Sequence, residues 1–135
     1  MKTKEKFNRN AVKQRGFKRF LKSFQYSIEG LIYAYKYEQS MLVHFLATVF
    51  AVVMGFIFKI SATEWLFIFV AIGIVLAVEM INTSIEAIVD MVTLEIHPLA
   101  KIAKDAGSAA TFIVSLISVV IALIIFAPKI MDLLG

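Results

Sequence analysis

Glu79-Met-Ile-Asn-Thr-Ser-Ile-Glu-Ala-Ile-Val-Asp90 sets three carboxylates and an amide in a stretch otherwise apolar enough for a membrane. At about 100° per residue, Glu79, Asn82, Glu86 and Asp90 fall within a sector of roughly 80° on one helix face. Ile72 and Val75 occupy the same face upstream, so one helix carries a stripe that turns from apolar to acidic. The run from Trp65 to Val78 contains no charge, which makes solvation by water a poor account of Glu79. Ionisable groups in such a segment are costly and normally face a bundle interior or a watery cavity, where they serve ions, protons or substrate. The plainer alternative is a polar latch between packed helices.

The rest of the chain points to the same setting. Of its 135 residues, 60% are hydrophobic, and the mean hydropathy of +0.83 lies well above that of an ordinary globular chain. Three apolar segments stand out, at about 41–58, 65–89 and 106–127, the first near the lower length limit for a span. The short Lys59–Glu64 link makes the first two a transmembrane hairpin. Twelve of the fourteen Lys and Arg lie before the first span or between the second and third, and only Lys59 and Lys129 lie on the other side. That asymmetry puts the N-terminus and the 90–105 loop in the cytoplasm.

The N-terminal region does not read as a signal peptide, because no apolar core follows its basic residues closely. Residues 1–16 read as a basic arm. Over 17–38, Phe17, Phe20, Leu21, Phe24, Ile28, Leu31, Ile32 and Tyr35 recur at three- and four-residue steps, opposite Lys18, Arg19, Lys22 and Lys36. This pattern predicts an amphipathic helix lying on the anionic cytoplasmic leaflet. Beside three spans, the basic arm is read as a membrane-surface element and no nucleic-acid partner is expected. The expected architecture is thus an all-α integral membrane domain, an interfacial helix followed by three transmembrane helices.

The absence of Cys excludes disulfides and thiolate chemistry, so any metal site must use oxygen ligands or the two His. A carboxylate-rich set favours hard ions such as Mg²⁺. Carboxylates, an amide, and the Lys104-Asp105 pair at the cytoplasmic face suit a Mg²⁺-nucleotide, but a cation channel or proton-coupled transporter could use the same residues. No G-x-x-x-x-G-K-[ST] loop, G-x-G-x-x-G turn, D-F-G motif or H-E-x-x-H helix is present. Among the remaining polar residues, His44 is expected to pack or hydrogen-bond near the interface, His97 to order the turn before Pro98, and Glu64 and Glu95 to be solvated ends. The small residues Gly107 to Ala110 allow close approach of a neighbouring helix or leave space for a ligand beside Lys104 and Asp105.

A resemblance extends this reading. Glu79-x-x-Asn82-Thr-Ser-Ile-Glu86-Ala-x-Val-Asp90, followed by His97-Pro-Leu-Ala-x-x-Ala-Lys104-Asp105-x-Gly107-Ser-Ala-Ala110, resembles the signature of the prokaryotic diacylglycerol kinase family, which includes undecaprenol kinases. The likeness continues upstream through Gly16-Phe17, Tyr26-Ser27-x-Glu29-Gly30-Leu31 and Glu38-x-x-x-x-x-His44, and so covers nearly all of the chain after residue 15.

The resemblance implies a homotrimeric enzyme of the bacterial cytoplasmic membrane that moves the γ-phosphate of ATP onto a lipid hydroxyl at the cytoplasmic face. It implies that Glu79 is the general base, that Glu38 and Glu86 hold Mg²⁺ on ATP, and that Asn82, Asp90, Lys104 and Asp105 bind nucleotide or order the site. Arg19, Ser27 and Gln39 would add nucleotide or lipid contacts. The blocks around Tyr26 and His97 resemble the branch found in Gram-positive bacteria, where undecaprenol kinases occur, so undecaprenol is the expected acceptor; the alternative is a diacylglycerol kinase making phosphatidic acid. A non-enzymatic oligomer conducting cations or protons past the Glu79–Asp90 stripe is the rival of another class, and Lys104 fits it poorly.

Overall fold

The computed structural model describes residues 16–135. The basic arm assigned to residues 1–16 therefore lies, apart from Gly16, outside the described residues. The rest is all-helical: α1 spans Phe17–Tyr37, α2 Gln39–Ile57, α3 Ala62–Val92 and α4 Pro98–Leu134. The last three are long and apolar enough to cross a membrane.

α1 and α2 are joined by one residue. Glu38 is extended (φ −99°, ψ 115°), its N–H closing the last turn of α1 on the Ala34 carbonyl at 2.8 Å. Its own carbonyl accepts from Met41 N at 3.2 Å, while its carboxylate makes no capping bond and stays available. Ala34 and Met41, both fully buried, seat the junction. Gly30 lies where an added Cβ would be 3.6 Å from Met80 Cε, so α1 also leans on α3. The large apolar residues of α1, from Phe17 to Ile32, are left exposed by the rest of the chain.

The α2–α3 turn is built locally. Lys59 takes a left-handed conformation (φ 48°), and Ile60 N donates back to the Gly55 carbonyl at 3.1 Å. Ser61 then opens α3 with a capping box: its hydroxyl accepts from Glu64 N at 3.3 Å, and Glu64 Oε2 accepts from Ser61 N at 2.7 Å. Trp65 packs over Gly55, where a Cβ would come within 2.6 Å of its ring. Glu64, expected to be a solvated end, is instead half-buried and pairs with Lys129 of α4 at 2.9 Å. The capping box holds Glu64 in the first turn of α3, where α4 lies alongside, a proximity invisible in linear sequence.

α3 packs chiefly against α4. The buried seam of α3 is Ile68, Ala71, Val75, Glu79 and Thr83, at three- and four-residue steps. It meets Gly107, Thr111, Ile125 and Phe126 of α4. Hydrocarbon surroundings remove most of the water-driven gain from burying apolar groups, so close packing across small residues such as Ala71 and Gly107 carries the association.

α4 begins well before the apolar run expected at 106. Pro98 sits at its first turn, where a missing N–H costs nothing, and His97 caps it, Nδ1 accepting from Leu99 N at 3.2 Å. The helix also runs through Pro128, which reads in sequence as a stop. The expected 90–105 loop therefore shrinks to residues 93–97. At 1.5 Å per residue α3 and α4 are roughly 46 and 55 Å long, well beyond a hydrocarbon core of about 30 Å. Their paired ends carry Asp90, Lys101, Lys104 and Asp105 past the apolar zone.

Candidate active site

Glu79 lies on the α3 seam, 3% exposed. The four polar residues of the stripe form a gradient along the helix: Glu79 buried, Asn82 and Glu86 half-buried, Asp90 exposed. Glu79 Oε1 lies 2.8 Å from His44 Nε2 on α2. One turn on, Asn82 Nδ2 donates to Glu86 Oε1 at 3.0 Å. At the end of α3, Lys104 Nζ of α4 donates to Asp90 Oδ1 at 2.7 Å.

Glu38 approaches the same region from the α1–α2 junction. Partial burial pushes its carboxyl above the usual carboxylate range, and the negative charges of Glu86 and Glu79 push it further. Three carboxylates from two parts of the chain thus share one electrostatic neighbourhood. Among the described residues no three His, Asp or Glu are gathered closely enough to enclose a metal by themselves. Two hard carboxylates with mutual repulsion to relieve do fit Mg²⁺, which takes one or two protein carboxylates and completes its octahedron with water and substrate phosphates.

Asn82 has a second role. Its Oδ1 is buried without a hydrogen-bond partner and lies against Gly107, where any Cβ would collide with it. Gly107 is therefore the notch in α4 that receives the carboxamide while the amide nitrogen orients Glu86. Gly107→Ala is expected to push Asn82 aside, break its bond to Glu86 and cost roughly 1–3 kcal/mol through overpacking. Thermal unfolding in micelles checks this, and an unchanged Tm would mean that Asn82 turns away freely.

The ends of α3 and α4 and the 93–97 link enclose a cleft of about 340 Å³ that brings Asp90, Lys101, Lys104 and Asp105 together. Asp105 pairs with Lys101 one turn before it, and Lys104 pairs with Asp90, so the two adjacent residues face different partners. Lys101 was not singled out in the sequence; its four-residue spacing from Asp105 is the signal that could have found it. A second, apolar cavity of about 530 Å³ runs between α2, α3 and α4 from Val43 and His44 to Phe126 and Ile130.

The remaining candidates stand apart within one chain. Gln39 is exposed in the first turn of α2, next to Glu38. Ser27 donates its hydroxyl to the Ser23 carbonyl at 2.9 Å. Arg19 is exposed near the start of α1, roughly 28 Å from Glu38 along the helix at 1.5 Å per residue.

Residues 25–126 match the pattern of the family described as prokaryotic diacylglycerol kinase. The chain is 40% identical over 111 residues to the undecaprenol kinase of Bacillus subtilis strain 168, covering 82% of this chain and 90% of that one. It is 39% identical over 100 residues to the diacylglycerol kinase of Pseudomonas aeruginosa, covering 74% and 81%. With the diacylglycerol kinase of Escherichia coli K12 the identity is 34% over 105 residues, covering 78% and 86%. A match spanning most of the helical region, from α1 to near the end of α4 and including the acidic stripe, means that this chain belongs to the prokaryotic diacylglycerol kinase family, a family of lipid kinases.

Proposed function

We propose that the protein transfers the γ-phosphate of ATP, with Mg²⁺, to the terminal hydroxyl of undecaprenol at the cytoplasmic face of a bacterial membrane, working as a homotrimer. The observation that carries this reading is the graded acidic stripe of α3. Its deep end, Glu79, is hydrogen-bonded to His44, which lines one end of an apolar groove, and its shallow end, Asp90, lines a cleft with two lysines. A lipid hydroxyl and a nucleotide approach such a stripe from opposite ends.

In this reading Glu79 accepts the proton of the acceptor hydroxyl as its oxygen attacks the γ-phosphorus. Asn82 orients Glu86, and Glu38 and Glu86 would hold Mg²⁺, which when bound neutralises phosphate charge. Lys104, Asp90 and Asp105 bind the nucleotide or order its site, and Arg19, Ser27 and Gln39 make outlying contacts with nucleotide or lipid. Within one chain only 22% of the most apolar window of α3, and 11% of that of α2, is buried, which leaves surface for both lipid and neighbouring subunits.

The acceptor assignment draws on the length of the undecaprenol kinase match, 111 residues against 100 and 105 for two diacylglycerol kinases. A groove open at its side would hold only the hydroxyl end of a long chain, so preference is expected rather than exclusivity. The test is a competition in one micelle system, with labelled ATP, Mg²⁺ and equal mole fractions of undecaprenol and diacylglycerol. Preferential labelling of undecaprenol is expected. Preference for diacylglycerol would overturn the acceptor, and labelling of neither would overturn the kinase reading. A cation pathway along the stripe is disfavoured by the family, and Lys104 takes up the Asp90 carboxylate that such a path would need at its mouth.

A further inference from the structure

His44 and Glu79 lie 35 residues apart in sequence and on different helices, yet Nε2 and Oε1 meet at 2.8 Å. Their side chains are 17% and 4% exposed. The contact follows from helix geometry. Met41, fully buried, shares a face of α2 with His44 three residues later, so the surface that seats α2 against the bundle carries the imidazole to the α3 seam. A carboxylate that deep requires a hydrogen-bond donor, and His44 is the one that the described residues place on it.

We propose that His44 is a positioning residue for Glu79: the imidazole Nε2–H donates to Oε1, fixes the rotamer of the carboxylate, and leaves Oε2 for the acceptor hydroxyl. The proposal rests on the reading of Glu79 as the general base. During transfer the hydroxyl proton passes to Oε2 and the acceptor oxygen bonds to the γ-phosphorus. The bond from that phosphorus to the bridging oxygen breaks, and ADP departs with the electron pair. His44 neither gains nor loses a proton; it restricts where the base can be. A glutamate has three side-chain torsions, and a second anchor at one oxygen removes most of their freedom before substrate arrives.

Three measurements test this in the full-length protein in micelles. His44→Ala is expected to lower kcat by on the order of 10²-fold, the scale of a misplaced catalytic group, with KM for ATP and lipid unchanged. His44→Gln, whose amide N–H can donate over a similar reach, is expected to recover most of that loss. In a Glu79→Gln background, His44→Ala should add no further loss, because the two act as one unit. The chain has only two histidines, so ring-nitrogen NMR resolves His44 from His97, and its signal should shift on Glu79→Gln. A normal kcat in His44→Ala beside an inactive Glu79→Gln would overturn the positioning role alone. Equal losses in the Ala and Gln variants, or an undiminished loss in the Glu79→Gln background, would also overturn it. A fully active Glu79→Gln would instead sink the general-base reading, while the ring-nitrogen signal still reports whether the contact exists.

Discussion

Glu79→Gln is expected to lower turnover by about 10²–10⁴-fold, the usual contribution of a positioned general base, while leaving ATP binding and assembly in place. The substitution keeps the shape of the side chain, and the amide oxygen can still accept from His44 Nε2, so the α2–α3 contact survives. What it removes is the capacity to take a proton. The expected loss corresponds to about 3–5 kcal/mol of barrier. Single-turnover phosphate transfer at saturating ATP, read beside ATP binding on the same preparation, separates chemistry from binding. Near-normal transfer would remove Glu79 from the role of base.

Glu38→Gln and Glu86→Gln are expected to raise the Mg²⁺ concentration for half-maximal activity by on the order of tenfold or more each, since even outer-shell changes at metal sites reach that scale. Hard carboxylate oxygens suit this ion, and the two residues come from different parts of the chain, so neither can replace the other. Folding should not confuse the result at Glu38. Burial and the charges of Glu86 and Glu79 disfavour its ionised form, so neutralising it leaves the ligand-free protein at least as stable. Glu86→Gln retains an oxygen for the Asn82 amide. Mg²⁺ titrations at fixed ATP, accompanied by Tm, make the measurement, and unchanged Mg²⁺ dependence in both variants would refute the assignment.

Part of the site was readable because helical periodicity is local. Glu79, Asn82, Glu86 and Asp90 share a face in any α-helix, whatever packs against it. That His97 orders the chain at Pro98 was local in the same way, although the helix it caps starts there and not at 106. The contacts that give these residues distinct jobs were not readable. The Asp90–Lys104 pair, Asn82 in the Gly107 notch and Glu64 on Lys129 each join two helices. Helix ends were also misplaced by hydropathy, because a backbone hydrogen-bond ladder continues through polar residues. α4 takes in Lys101, Lys104 and Asp105 for that reason.

What the sequence alone determined is the set of properties that follow from neighbours along the chain. These are three apolar helices, an acidic face on the second, the cationic asymmetry between their two ends, and the motif that marks the family. What only the tertiary structure decided is which partner each polar group meets. Pairwise contacts between helices depend on rotation and depth about each axis, and those are set by close packing at Met41, Ala71 and Gly107 rather than by sequence distance. His44 reaching Glu79 across 35 residues is a consequence of that packing.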